Sequence, residues 1–236
     1  QSGRTCQQGI SKWQEGRFRY ARQHILINLI NKNTMKKYFL ILLLIGCFAS
    51  VQAKSDWKAR WINTERCQSA ANTWLAYRKT VDIEKVPQTL TAHIAADSKY
   101  WLWINGKLVV FEGGLKRGPS LYDTYYDSVE IAPYLTAGEN TIAVLVWHFG
   151  KSGFSHVNSG LAALLFEAIA PGVEIVSDAS WFCSLYDAYQ NTEAPHPNYR
   201  LPESNIRFDA RLMMKDWNRK SFEGSLPAAQ VVLGAW

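Results

Sequence analysis

The sequence lacks the patterns that assign many proteins to an enzyme class. Its 236 residues include only four cysteines, and no Cys/His cluster has the spacing of a zinc site. There is no glycine-rich phosphate loop and no Gly-x-Ser-x-Gly turn, and the five histidines are scattered singly. Internal repeats, low-complexity linkers and a sustained helical period are also absent. Nothing therefore indicates a structural zinc site, phosphate-loop chemistry or a serine hydrolase.

The positive charge of the chain is concentrated near its N-terminus. The sequence has 26 Lys and Arg residues against 20 Asp and Glu residues, but from Lys54 onward 18 basic and 19 acidic residues remain. A nearly neutral body without a basic stripe provides no electrostatic basis for binding nucleic acid. We therefore expect no nucleic-acid partner.

Residues 35–53 have the organisation of a secretory signal peptide. Lys36-Lys37 is the charged region, Tyr38 to Ile45 is the apolar region, and Val51-Gln52-Ala53 is a small-x-small cleavage site. This pattern predicts an exported protein, located in the periplasm or outside the cell.

A signal peptide acts from the N-terminus, so we expect translation to start at Met35. Residues 1–34 are then an upstream segment that is untranslated or unstructured; a genuine cytoplasmic extension is the alternative. Leu44-Ile45-Gly46-Cys47 also resembles a lipobox, so acylation of Cys47 and attachment to a membrane compete with cleavage after Ala53.

The rest of the chain consists of many short apolar segments separated by Gly and Pro. Such punctuation predicts an all-β fold, a jelly-roll or galactose-binding-like β-sandwich, over residues 54–216. The run from Leu161 is also compatible with a helix, but we assign it as a buried strand. The predicted strands are Trp74 to Val81, Thr89 to Ala95, Tyr100 to Ile104, Lys107 to Phe111, Tyr122 to Ile131, Thr141 to Phe149, Leu161 to Ala170, Val173 to Val176 and Arg207 to Met214.

The clearest local signal is Asn105-Gly106 between two apolar runs. Both residues accept a positive φ, which is what a two-residue hairpin turn requires. Alternation in the preceding strand places Trp101 and Trp103 on one face, and Tyr100, Leu102 and Ile104 on the other.

The pattern weakens towards the C-terminus. Residues 191–202 read as a polar surface loop with three prolines, and residues 217–236 as the start of a linker to a missing downstream domain. The chain therefore has the character of a fragment. Cys67 and Cys183 either pair, in an oxidising compartment, or remain separate buried thiols, and their spacing does not decide between these alternatives.

A series of motifs, in this order, resembles the N-terminal β-sandwich of bacterial α-L-rhamnosidases. A β-galactosidase-type jelly roll shares the Asn-Gly and Gly-x-Asn turns, but the segment from Trp147 to His156 fits the rhamnosidases better. The motifs are Ala96-Asp97, Trp101 to Ile104, Asn105-Gly106, Gly118-Pro119, Tyr122-Asp123-Thr124, Leu135 to Asn140, Val144 to Gly150, Ser177 to Trp181, Phe208 to Arg211, and Trp217.

The resemblance implies an inverting glycosidase that releases terminal rhamnose by single displacement. In that family the catalytic glutamates lie on an α/α barrel that follows the β-domains, and this barrel would begin beyond Trp236. We therefore assign no catalytic residue here and expect the chain alone to be inactive. Its expected partners are its own missing catalytic domain and a plant or microbial rhamnose-containing glycan, with a membrane only if Cys47 is lipidated.

Sugar binding is the chemistry that the residues themselves support best. Carbohydrate sites combine an aromatic face with amides, carboxylates and arginines that bridge hydroxyl groups. The alternatives to sugar binding are core packing for the mid-strand tryptophans and a turn role for Asn105. The candidates are Asp97, Trp101, Asn105, Arg117, Tyr122, Tyr126, Trp147, His148, Phe154 and His156.

We predict no obligatory cofactor, with calcium as the alternative. Asp97, Asp123 and Asp127 are hard oxygen ligands of the type that calcium prefers, although their spacing matches no known loop. Three functions remain: a sandwich that braces a catalytic domain, a free-standing carbohydrate-binding module, or a purely structural domain.

Overall fold

The computed structural model describes residues 57–64, 70–115, 124–153, 156–192 and 205–232. The chain divides into two units, 1–55 and 56–236, and all the described residues belong to the second. The predicted signal peptide, the upstream segment, Cys47 and Cys67 lie outside the described residues. Among the residues described, no helix is long and apolar enough to cross a membrane.

The described residues form strands and two short 3-10 turns, Ala132–Tyr134 and Ala210–Leu212. The strands are β1 (Ile62–Asn63), β2 (Thr73–Ile83), β3 (Thr91–Asp97), β4 (Lys99–Ile104), β5 (Lys107–Gly114), β6 (Asp127–Glu130), β7 (Gly138–His148), β8 (Ala163–Ala170), β9 (Val173–Val176), β10 (Phe182–Leu185), β11 (Tyr189–Asn191), β12 (Ile206–Phe208) and β13 (Gln230–Val231).

These strands form two antiparallel sheets. One sheet has the order β13-β1-β8-β3-β6, with β9 also paired to β8, and the other has the order β10-β2-β7-β4-β5. A separate ribbon is formed by β11 and β12. The predicted all-β sandwich is confirmed, including the assignment of β8 as a buried strand and not a helix.

The main core lies between the two sheets. In β4, Tyr100, Leu102 and Ile104 are fully buried in this core, whereas Trp101 and Trp103 face outward, as the alternation predicted. The central strand β7 is buried on both faces because its outer face is covered by a second aromatic layer. This strand holds the five-stranded sheet together through eleven register pairs with β2.

The Asn105-Gly106 turn joins β4 to β5, with φ of 52° at Asn105 and 79° at Gly106. The Asn105 side chain connects this hairpin to the loop before β7. Its Nδ2 donates to Tyr134 O (3.1 Å) and to Asn140 Oδ1 (2.8 Å), and its Oδ1 accepts from Thr141 N (3.0 Å). Asn105 is therefore a turn residue with a long-range structural role.

Two predicted strands are shorter in the structure. The strand predicted from Arg207 to Met214 ends at Phe208, because the Asp209 side chain accepts from Arg211 N (3.1 Å) and opens a 3-10 turn. Within the described residues 124–131 of the strand predicted from Tyr122 to Ile131, only β6 forms a strand, and a turn containing Pro133 follows it.

The sandwich continues beyond the boundary predicted at residue 216. Strand β13 pairs with β1, so that Val231 lies opposite Ile62. Ala229 N donates to Trp181 O (2.8 Å), and Cys183 N donates to Pro227 O (2.9 Å). The segment predicted to begin a linker thus returns to the sheet edges, at least as far as residue 232.

Candidate functional site

Aromatic side chains cover the outer face of the five-stranded sheet. Trp74 on β2 stacks against Trp147 on β7 (ring centroids 4.6 Å apart) and against Trp101 on β4 (5.4 Å). Tyr189 stacks on Trp74 at 4.1 Å. We call Trp74, Trp101, Trp147 and Tyr189 the outer aromatic cluster.

Residues from the C-terminal part of the chain cover most of this cluster. Trp217 contacts Trp103 and Tyr186, with ring centroids 5.8 Å apart in each case. Burial raises the pKa of the Tyr186 and Tyr189 phenols. Trp147 is 5 % exposed, so in this structure it packs as core.

Only the edge of the cluster is open to solvent. Trp101 is partly buried, and the ring of Phe111 on β5 meets it edge to face at 6.3 Å. Phe111 is 71 % exposed, the largest value among the apolar residues described. Trp101 and Phe111 therefore form an accessible pair of rings beside this cluster, which we call the aromatic rim.

A buried polar cluster lies where β3 and β7 end and β4 begins. The carboxylate of Asp97 is fully buried, and its Oδ1 accepts from Ser98 Oγ (2.6 Å). Its Oδ2 accepts from Ser159 N (3.0 Å) and also from Ser159 Oγ. Two histidines approach the same carboxylate, with His148 Nδ1 3.6 Å and His156 Nε2 3.4 Å from Oδ1.

These contacts attach the loop after β7 to the sheet. Gly150 begins this loop with φ of 69°, and a Cβ at that position would overlap the backbone of Ala71. Ser98 Oγ lies 3.1 Å from His156 Nε2 and accepts from Phe149 N (3.2 Å). Several side chains from distant parts of the sequence thus converge on Asp97.

The buried polar cluster is not arranged as a nucleophilic triad. In such a triad the histidine contacts the nucleophile with one ring nitrogen and the carboxylate with the other. Here the same atom, His156 Nε2, lies near both Ser98 Oγ and Asp97 Oδ1, and the serine donates to the carboxylate directly. The cluster is also almost completely buried, with His156 at 2 % exposure, so a substrate has no access to it.

The histidines are held in place mainly by packing. Both ring nitrogens of His148, and Nδ1 of His156, are buried and have no hydrogen-bond partner among the described residues. The His156 ring meets Phe149 edge to face at 5.4 Å. Buried polar atoms without partners are uncommon in folded proteins, so the cluster depends strongly on the Asp97 carboxylate.

Those predicted sugar-binding residues that the structure describes do not converge on one site. Trp101 and Trp147 belong to the outer aromatic cluster, and Asp97, His148 and His156 to the buried polar cluster. Tyr126 lies on the other sheet, where its ring is 5.3 Å from Trp57 and 5.1 Å from His93. Asn105 stabilises a turn, and Arg117, Tyr122 and Phe154 lie outside the described residues. Their role in binding sugar stays a prediction.

The acidic residues predicted as calcium ligands have separate surroundings. Asp127 Oδ2 accepts from Tyr100 Oη (3.0 Å) and from Gly114 N (3.0 Å), whereas Asp97 lies in the buried polar cluster. Asp123 is outside the described residues. Within the described ranges no group of three or more His, Cys, Asp or Glu residues is placed to hold a metal ion. A calcium site involving Asp123 stays a prediction.

Sequence reasoning missed Ser98 and Ser159, which both donate hydrogen bonds to Asp97. The only local signal was the polar pair Asp97-Ser98 at the end of an apolar strand. Ser159 is 62 residues away from Asp97, and no periodic pattern connects them.

The fold and this polar cluster define an antiparallel β-sandwich with a structural, closed centre. No protein-family model matches the sequence, and none of the curated proteins matches it. Solved structures do match. The GH78 family rhamnosidase of Bacillus sp. GL1 has 31% sequence identity and a TM-score of 0.64, over 75% of this chain and 18% of that enzyme.

Two further structures agree in fold. The α-L-rhamnosidase from Dictyoglumus thermophilum has 20% identity and a TM-score of 0.59, over 77% of this chain and 22% of the enzyme. The α-L-rhamnosidase from Aspergillus terreus has 20% identity and a TM-score of 0.56, over 74% and 21%. The resemblance found in the sequence is confirmed: the chain carries a β-sandwich domain of the α-L-rhamnosidase type. It spans about a fifth of the length of these enzymes.

Proposed function

We propose that this sandwich is a non-catalytic domain of an exported α-L-rhamnosidase-like glycoside hydrolase, and that it braces the catalytic domain. The identity of 31% to a GH78 family rhamnosidase supports the choice of enzyme. The parent enzyme would release terminal rhamnose with inversion, from a plant or microbial glycan, through glutamates outside this chain. Export follows the signal-peptide pattern at residues 35–53, with acylation of Cys47 as the membrane-attached alternative.

The bracing role rests on an exposed apolar segment at residues 206–213. Four large apolar side chains within these eight residues are nearly half exposed: Ile206 (44 %), Phe208 (48 %), Leu212 (46 %) and Met213 (47 %). Phe208 also contacts Tyr189 at 4.9 Å, which connects the segment to the outer aromatic cluster. A concentration of exposed apolar side chains is typical of a surface that packs against another protein domain.

The environments of the buried carboxylates support a non-catalytic role. Glu167 Oε2 accepts from Lys58 N (2.7 Å) and Ala59 N (3.0 Å), which holds the chain before β1 against β8. Asp97 pairs in register with Ala163, four residues from Glu167 along β8. Four residues of strand span about 13 Å. The two catalytic carboxylates of a glycosidase lie roughly 5 to 9.5 Å apart, so Asp97 and Glu167 do not have the spacing that glycoside hydrolysis requires.

The first test is to sequence the source DNA beyond the codon for Trp236. A long continuation that encodes a helical, glutamate-containing region is the expected result. A stop codon within a few dozen codons would contradict the bracing role and favour a free-standing carbohydrate-binding module.

The second test replaces Phe208 and Leu212 by serine in the longer protein. We expect faster thermal inactivation of rhamnoside hydrolysis with an unchanged kcat, because the interface with the catalytic domain is weakened. Ile169→Ser is the matched control, since Ile169 is also exposed (43 %) but lies on the other sheet. Equal inactivation rates for the double variant and the control would refute the proposed interface.

Contact with carbohydrate is the second candidate function, and it is favoured by the aromatic rim of Trp101 and Phe111. An exposed ring beside a half-buried tryptophan can take the C–H face of a sugar. Titration of the full chain with L-rhamnose, followed by tryptophan fluorescence, tests this role. A saturable change that is lost in Phe111→Ala supports it, and a spectrum unaffected by the sugar contradicts it.

A further inference from the structure

A small cleft lies on the outer face of the five-stranded sheet, beside β2 and the edge strand β10. Its volume is about 170 Å³, and it is lined by Arg78, Phe182, Phe222, Gly224, Ser225 and Leu226. None of these residues was singled out from the sequence, and none belongs to the outer aromatic cluster or to the buried polar cluster. Arg78 and Phe182 lie directly opposite each other in the β2–β10 register.

Arg78 has charge and hydrogen-bonding capacity that its surroundings do not use. Nη1 donates to Thr80 Oγ1 (2.8 Å), and Nη2 donates to Thr141 Oγ1 (3.3 Å) and Arg219 O (3.2 Å). A guanidinium has five N–H donors, so two remain, and the buried Nε is one of them. These three bonds are all to neutral oxygens; among the described residues no carboxylate is at ion-pair distance from Arg78.

The Arg78 guanidinium is partly desolvated. Burial lowers the pKa of its guanidinium, while the charge of Glu139 opposes this shift without contacting the group. A partly desolvated cation gains considerably from a carboxylate, because hydrogen bonds between ionised groups are shorter and stronger than neutral ones.

The walls of the cleft limit what the ligand can be. The Phe222 ring lies 5.6 Å from Arg78 Cζ, and Phe182 is 41 % exposed. An inorganic anion would use the charge but neither ring. The volume is close to the roughly 150 Å³ of a cavity that accommodates a single six-membered ring.

We propose that this cleft binds a monosaccharide-sized carboxylate, in which an acid group meets the Arg78 guanidinium and the C–H face of the ring lies against the phenylalanine rings. The ligand class is that of a hexuronic acid. Ser225, which is exposed at the rim, is placed to bond a hydroxyl group of such a ring. This site is independent of the bracing role, since it uses neither the 206–213 segment nor the aromatic rim.

The experiment is calorimetric titration of the full 236-residue chain with D-glucuronate, its neutral methyl ester, and inorganic phosphate. We expect saturable binding of glucuronate, and binding weaker by about tenfold or more for both the ester and phosphate. An ester that binds as tightly as the acid would overturn the proposal. So would phosphate that binds as tightly, or glucuronate that shows no saturation in the millimolar range.

Three variants locate the site. Arg78→Gln removes the charge, and Ser225→Tyr fills the cleft from an exposed position that is outside the core. Each is expected to weaken glucuronate binding by about tenfold or more. Arg219→Gln removes an equal charge nearby, from a side chain paired with Asp216 (3.3 Å), and is expected to bind normally.

The variants also separate binding from folding. The Ser225→Tyr chain is expected to unfold in urea at the wild-type concentration, so that its loss of binding reports on the cleft. If both Arg78→Gln and Ser225→Tyr kept wild-type affinity, glucuronate would bind elsewhere and the assignment would be wrong.

Discussion

Removal of the Asp97 carboxylate should destabilise the sandwich more than any other single change of an acidic residue in it. In Asp97→Ala, the amide of Ser159 loses the carboxylate that it donates to, while the hydroxyls of Ser98 and Ser159 keep only His156 Nε2 (3.1 Å) and Leu161 O (3.1 Å) in reach. His148 and His156 also lose the nearby charge of the Asp97 carboxylate. Three of their four ring nitrogens already have no hydrogen-bond partner among the described residues.

The expected magnitude follows from these contacts. A buried donor left unsatisfied costs about 1–3 kcal/mol, and the Ser159 amide is left in that state. The loss of one partner from a buried charged network typically costs about 3–5 kcal/mol in total, because the sites are neighbours and their effects do not add fully. For a domain of this size, each kcal/mol lowers Tm by roughly 2–4 °C. We therefore expect Tm to fall by about 10 °C.

The assay is urea unfolding of the full chain, monitored by tryptophan fluorescence. Asp82→Ala is the matched control, since Asp82 is an exposed acidic residue on β2, and its replacement should change the free energy of unfolding by less than about 0.5 kcal/mol. If Asp97→Ala also changed the free energy of unfolding by less than about 1 kcal/mol, Asp97 would not be the centre of the buried polar cluster.

Three further predictions concern the core and the hairpin. Burial raises the pKa of the Tyr100 phenol, and so does its hydrogen bond to Asp127. The contribution of this phenol to the free energy of unfolding is therefore complete below pH 10 and is lost as pH rises above that value. Denaturation curves should show a smaller loss of stability at alkaline pH in Tyr100→Phe than in the wild type, and identical pH profiles would contradict this. Leu102→Ala should lower the free energy of unfolding in urea by about 2–5 kcal/mol, because it leaves a cavity between the sheets. Leu108→Ala, at a 46 % exposed position, should lower it much less, and equal decreases in the two variants would refute the placement of the core. Asn105→Ala should lower the free energy of unfolding by about 2–3 kcal/mol, since the variant loses three hydrogen bonds and keeps a positive φ. A urea midpoint equal to that of the wild type would show that the turn does not depend on this side chain.

Local patterns in the sequence were sufficient where neighbouring residues determine the structure. The Asn105-Gly106 turn and the alternation along β4 were both predicted, because turn chemistry and strand periodicity act over a few residues. Strand β9 coincides with its prediction from Val173 to Val176. The order of motifs was also enough to identify the rhamnosidase-type sandwich.

Local patterns failed where a short segment gains its conformation from a distant one. Strand β13 has two residues and no periodicity, and it forms because β1 offers an unpaired edge. The strand predicted through Met214 ended early, since the bond from Arg211 N to the Asp209 side chain competes with strand pairing.

The sequence by itself therefore determined the fold class, the position of the main hairpin, the two faces of β4 and the family resemblance. Only the tertiary structure decided what the singled-out side chains do. It assigned Trp147 to a covered aromatic layer and Asp97 to a closed polar cluster with Ser159, and it showed that Arg78 has no ion pair with any carboxylate in the described part of the chain. The physical reason is that burial, and the pairing of charges and hydrogen bonds, depend on residues brought together from far apart in the chain.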